Sequence, residues 1–107
     1  MAAPAATMEK LEQRAGEAAQ LMKLLANETR LLILCRLVAE REMSAGALVT
    51  AVGLGQSAVS QHLAKLRDDN LVATRRDGQT IYYRIADNNV ARIISVLKDI
   101  YCRDGST

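Results

Sequence analysis

The chain has 107 residues, half of them apolar and 24% charged, with a formal net charge of +2. That length and balance fit one small globular domain and exclude a disordered, collagen-like or low-complexity chain. The longest apolar run, Leu31 to Cys35, is far too short to cross a bilayer, and Met1 to Thr7 lacks the charged start and apolar stretch of a signal peptide. A cytoplasmic protein with no membrane partner is expected. Trp and Phe are absent, and Tyr82, Tyr83 and Tyr101 are the only aromatics. Leu, Ile, Val, Ala and Met must build the core, and so thin a core predicts a homodimer.

Residues 1–7 read as a flexible tail, 8–102 as one unit without repeat or linker, and 103–107 as a second tail. Met8, Leu11, Ala15, Ala18, Met22 and Leu25 recur at steps of three and four. They predict a helix over 8–25 with a heptad seam, whose small alanines would let a partner helix approach. Asn27 is suited to cap a second helix over 28–40. Leu31 to Cys35, Leu37 and Val38 make that helix apolar on nearly every side, which predicts a buried, central element. Ser44 caps a short helix over 45–52, with Ala45, Leu48, Val49 and Val52 inward. Gly53-Leu54-Gly55 breaks it.

A fourth helix, 57–69, buries Val59, Leu63 and Leu66, and Asn70 can adopt the left-handed turn that ends it. Residues 72–85 change period and predict a β-hairpin around Asp77-Gly78, with Arg75 and Arg76 at its tip. A last helix starts at Asn88 or Asn89 and runs to about 102. Val90, Ile93, Ile94, Leu97, Ile100 and Tyr101 give it a wide apolar stripe. The expected fold class is mainly α with a β-hairpin wing (α+β).

Charge is uneven along this plan. Residues 57–86 hold five basic side chains against three acidic ones, while 1–42 and 87–107 balance. The outer face of the fourth helix carries Ser57, Ser60, Gln61 and Ala64, flanked by Gln56, His62, Lys65 and Arg67. It lacks an acid before Asp68, where an ordinary solvated face would carry Glu–Lys pairs. Small residues let a backbone lie close in a major groove, Gln can pair with an adenine edge, and Ser can reach bases or phosphates. Arg75 and Arg76 would lie alongside the duplex, on phosphates or in the minor groove. Double-stranded DNA is the expected partner.

Ala26-Asn-Glu-Thr-Arg-Leu-Leu-Ile-Leu34, Gln56-Ser-Ala-Val-Ser-Gln-His-Leu-Ala-Lys-Leu66 and the wing from Arg75 to Ile85 resemble the ArsR/SmtB family of dimeric winged-helix repressors. The resemblance covers residues 9–102. It implies a winged helix–turn–helix and a symmetric dimer through the first and last helices. Gly55 stands where the family often has a Ser cap, and Asn70 where Gly is usual. Both substitutes tolerate the geometry.

Many such proteins sense metals, but Met43 to Thr50 holds no Cys, His or acid, and the last helix has no His. The single His62 and two distant cysteines supply a zinc site poorly, so no metal ligands and no cofactor are expected. Cys35 and Cys102 remain. Each alone reads as an ordinary residue, Cys35 as a small buried apolar one and Cys102 as an idle thiol at a helix end. Arg36 and Arg103 beside them would favour thiolates, whereas a helix C-terminus opposes an anionic Cys102, so the sign of the net shift stays open.

Ile33-Leu-Cys35 and Tyr101-Cys102 resemble the BigR/SqrR/HlyU-like subgroup of that family. The subgroup implies a redox-sensing pair: persulfides react at one thiol, a di- or polysulfide bridges Cys35 and Cys102, and a repressor that holds operator DNA when reduced lets go. A metal-sensing repressor, a thiol-independent DNA-binding regulator and a protein-interaction module are the alternatives. No enzyme is expected, because paired catalytic acids, a phosphate-cradling Gly loop and a Cys–His pair are all missing.

Overall fold

The computed structural model describes residues 5–102. Helices α1 (Ala5–Gln13) and α2 (Ala15–Leu25) lead into α3 (Glu28–Glu40), the short strand β1 (Glu42–Ser44), α4 (Ala45–Val52) and α5 (Gln56–Asp68). The hairpin β2 (Val72–Asp77) and β3 (Thr80–Ile85) follows, and α6 (Asn88–Tyr101) ends the fold. Most of the expected tails, 1–4 and 103–107, lies outside the described residues. Residues 5–7 belong to α1 rather than to a tail.

The expected single helix over 8–25 is interrupted at Arg14, whose backbone leaves helical geometry at φ −110, ψ 19. Its N–H bonds back to both Lys10 and Leu11 carbonyls, so the turn tightens without breaking the ladder. The heptad seam is not the inner face of this segment. Leu25 alone of the seam is buried, with Leu21 and Leu24 packed beside it, while Met8, Leu11 and Met22 stay exposed.

Helix α3 sits at the centre. Asn27, with extended backbone, accepts the Arg30 N–H at 3.1 Å and satisfies one of the helix's unpaired donors. Ile33, Leu34 and Leu37 are buried against Leu48, Val59, Leu63, Leu66, Leu71, Val72, Val90 and Ile94, one continuous aliphatic cluster. The helix is not enclosed on every side: Leu32 is 44% exposed and Cys35 is exposed. Ser44 caps α4 by accepting the Ala47 N–H, and Gly53 at φ 78 closes it in the left-handed region. Asn70, at φ 63, ends the α5 segment, and Leu71 bonds back to the Leu66 carbonyl while burying its side chain.

The sheet has three strands in the order β1-β3-β2, all antiparallel. The hairpin is joined by Gly78-Gln79, with positive φ at Gly78 alone, the pattern of a II′ turn rather than an Asp-Gly turn. Arg75 and Arg76 are not at the tip. They lie within β2, opposite Tyr82 and Ile81. Helix α6 starts at Asn88, as expected, and its cap is Asp87, which accepts the Asn89 N–H at 2.9 Å. Among the described residues no helix is long and apolar enough to cross a membrane.

Leu34 belongs to the core cluster and has no exposed surface. Leu34→Ala should lower the unfolding free energy by about 2–5 kcal/mol. Urea denaturation at fixed protein concentration measures it, and a change near zero would contradict α3's central place in the core.

Candidate functional site

Burial of Val59, Leu63 and Leu66 fixes the rotation of α5 about its axis. The opposite face therefore emerges by necessity: Gln56, Ser57, Ser60, Gln61, Ala64, Lys65 and Arg67 are all exposed. Gly55 supplies the extended residue before α5 without a side-chain hydrogen bond. The first turn holds no acid, so its free N–H groups and positive dipole end are unscreened. Lys65 pairs with Asp69 at 3.4 Å one turn on. Lys65 is exposed while Asp69 is half-buried, and a single ion pair of this kind at the surface is worth little.

His62 differs from its neighbours. It is half-buried on the flank of α5, and its Nδ1 accepts a hydrogen bond from Arg30 Nε at 3.3 Å. The same guanidinium donates to the Leu24 carbonyl at 3.2 Å. Arg30 therefore ties the α2–α3 turn to α5. Accepting at Nδ1 leaves the neutral imidazole's proton on Nε2.

The two arginines of β2 separate. Arg75 donates twice to the Glu42 carboxylate, both bonds at 2.8 Å, and lies 4.4 Å over the Tyr82 ring. The paired guanidinium holds the Glu42 carboxyl below the usual carboxylate range. Arg76 is exposed and makes no ion pair among the described residues. Sequence reading missed Glu42 and Arg30 because their partners stand more than thirty residues away, and no local pattern links them.

On the other side of α3, Cys35 and Cys102 line one groove of about 820 Å³ between α3 and α6. Leu31, Val38, Ile94 and Leu97 form its apolar walls, with Lys98 and Tyr101 beside Cys102. The expectation of a deep Cys35 is corrected, since both thiols are exposed. Residues at i and i+4 share a helix face, and burial of Leu34 and Leu37 turns the Leu31/Cys35/Val38 row toward the groove. Partial burial, and then the nearby Cys102, push the Cys35 thiol above its ordinary value. The sign left open by Arg36 is thus upward.

The seam of α1 and α2 and the end of α6 leave apolar side chains without a partner in the protomer. Met22 is 59% exposed, Ile100 54% and Tyr101 78%. No cluster of three or more His, Cys, Asp or Glu side chains among the described residues could hold a metal ion.

Known proteins share both the sequence and this architecture. Residues 27–74 match the family described as bacterial regulatory protein, arsR family. The nodulation protein NolR of Rhizobium meliloti is 51% identical over 102 residues, covering 92% of this chain and 83% of that protein. The structure of reduced HlyU from Vibrio cholerae superposes with a TM-score of 0.81 at 43% identity, covering 89% of this chain and 99% of that one. The repressor BigR from Xylella fastidiosa superposes with a TM-score of 0.84 at 39% identity, covering 91% and 98%. With its helix–turn–helix, its hairpin wing and relatives of this closeness, the chain belongs to the arsR family of bacterial transcriptional regulators, as a DNA-binding regulator and not an enzyme.

Proposed function

We propose that this regulator is a dithiol switch: a dimeric repressor that holds operator DNA while Cys35 and Cys102 are reduced and releases it once a di- or polysulfide joins them. The observation that carries the reading is the shared groove, which brings together two cysteines from opposite ends of the sequence. The cytoplasm, where thiols are kept reduced, is the fitting compartment.

The chemistry balances with an organic persulfide as oxidant. One Cys thiolate attacks the outer sulfur of RSSH, forming a protein persulfide and expelling RS⁻. The other thiolate then attacks the inner, protein-bound sulfur, giving a disulfide and releasing HS⁻. A second RSSH consumed first would lengthen the bridge by one sulfur. A direct disulfide requires Cα atoms within roughly 7 Å, and added sulfur relaxes that demand. Bridging would fasten α6 to α3.

On the DNA side, the acid-free face of α5 supports major-groove reading by Gln56, Ser57, Ser60 and Gln61, with Lys65 and Arg67 on phosphates. His62 lies at the edge of that face, with only its Nε2 side available to a duplex. A second copy packed on the α1–α2 seam and the α6 end would cover the exposed Met8, Leu11, Met22, Ile100 and Tyr101. It would set two reading helices about 34 Å apart for successive major grooves. A coupling of about 1–3 kcal/mol between bridge and DNA suffices to switch occupancy.

Gel-shift titration should give a lower affinity after persulfide treatment of the wild-type chain and no response in Cys35→Ser or Cys102→Ser. Mass spectrometry of the treated protein counts the sulfurs in the bridge. Equal affinity before and after treatment would end the switch reading. On the DNA face, Gln61→Ala should lose about 1–3 kcal/mol of discrimination at one base pair while keeping non-specific binding, as read by competition with mutated sites.

The raised Cys35 pKa also fixes a pH dependence. Its thiolate is a minor species near neutrality, so iodoacetamide labelling of Cys35 should quicken about tenfold per pH unit there. Cys102→Ser removes one of the causes of the rise and should label faster at fixed pH. A flat profile would mean a thiolate already formed, against the partial burial of Cys35.

A further inference from the structure

Two adjacent arginines of the wing look interchangeable in sequence, and the sheet makes them opposites. Side chains alternate along a strand, so Val72, Thr74 and Arg76 share one face of β2, and Ala73, Arg75 and Asp77 the other. Val72 is buried in the cluster that contains Val59, Leu63 and Leu66 of α5. Arg76 therefore projects on the side of the sheet where α5 packs, beyond the end of the core and open to solvent. Arg75 projects on the far side.

On that far face the register aligns Ser44, Tyr82 and Arg75 across the three strands, and Glu42 with Arg84 one step along. Arg75 reaches across β3 to Glu42, over the Tyr82 ring, with the Nε and Nη2 edge of its guanidinium engaged. The reach runs from β2 to β1, the edge strand at the base of the sheet, and not outward to the Gly78-Gln79 turn. Such a brace fixes the twist between the hairpin and β1, and β1 is continuous with α4 through Ser44. A bidentate pair stacked on an aromatic ring is the geometry in which a surface ion pair is best held.

We propose that Glu42 and Arg75 form a positioning brace that sets the angle of the wing relative to α5, and that Arg76 alone of the two arginines contacts a DNA phosphate. This rests on the operator-binding reading above and adds the division of labour within the wing. The pairing gives Arg75 no net charge to offer a duplex, whereas Arg76 has a full one. The depressed Glu42 carboxyl keeps the brace charged across the neutral range.

The test measures binding of a labelled mixed-sequence duplex between roughly 50 and 200 mM salt, because each phosphate contact adds about 0.9 to the slope of log affinity against log salt. Arg76→Ala should flatten the slope by about 0.9 per wing. Arg75→Ala should leave the slope unchanged while weakening binding roughly two- to fivefold, the range of a well-formed surface pair. Glu42→Gln should reproduce that small loss, Glu42→Asp should recover part of it, and the double variant Glu42→Gln/Arg75→Ala should be no worse than either single one. Hydrogen exchange of the β2–β3 amides should quicken equally in the two single variants.

A slope lowered by Arg75→Ala as much as by Arg76→Ala would overturn the proposal, since Arg75 would then be a phosphate contact itself. A rise in affinity and slope on Glu42→Gln would also overturn it, showing that Glu42 masks Arg75 instead of bracing it. Wild-type protein that binds no duplex at any salt would remove the operator reading and this inference with it. Binding by the wild type with the wrong variant pattern would remove the brace alone.

Discussion

The cysteine groove, the α2–α3 turn and α5 are all attached to α3. Its Ile33, Leu34 and Leu37 are buried in the close-packed aliphatic core. At its start, Arg30 is hydrogen-bonded to His62 on α5 and to the Leu24 carbonyl that closes α2. Midway along, Cys35 faces the groove shared with α6. Under the proposed switch, a bond formed at the sulfur would act through this close-packed helix on Arg30 and so on α5. No long chain of loosely coupled side chains is required.

The groove itself explains why sulfur suits this position. Its walls are aliphatic, and partial burial against them raises the Cys35 thiol. The second thiol adds to the same effect by disfavouring a second negative charge nearby. Under the proposed switch the protonated thiols are neutral and a polysulfide is neutral too, so the term that decides how many sulfur atoms a bridge would need is the cost of drawing α6 toward α3.

Periodic features were legible in the sequence. The caps at Asn27 and Ser44, the buried row Val59/Leu63/Leu66, the left-handed Asn70 and the hairpin all follow from local chemistry that burial reinforces. Three kinds of feature were not. The strand Glu42–Ser44 is too short for an alternating pattern, and it exists because β3 offers it a ladder. The depth of Cys35 was misjudged because an all-apolar helix need not be surrounded, and the uncovered side of α3 is the side that carries the thiol. The fates of Arg75, Arg76 and His62 depend on partners distant in the chain, so adjacency in sequence said nothing about which would be free.

The remaining apolar exposure has a direction. Met8, Leu11 and Met22 lie on α1 and α2, and Val96, Ile100 and Tyr101 on α6, while the outer face of α5 is polar. A chain with no Trp or Phe and an aliphatic core has little stability to spare, and leaving such side chains wet forgoes stabilisation of about 25 cal/mol for each Å² that a partner could cover. The exposed aliphatic side chains of α1, α2 and α6 would thus serve pairing while the polar face of α5 stays open, the division that the proposed twofold reader needs. Cys102 follows Tyr101 directly, at the end of the helix that carries the most exposed of these side chains. A bond from Cys102 to α3 would consequently act on the pairing surface and on the reading helix in a single step, one through α6 and the other through α3.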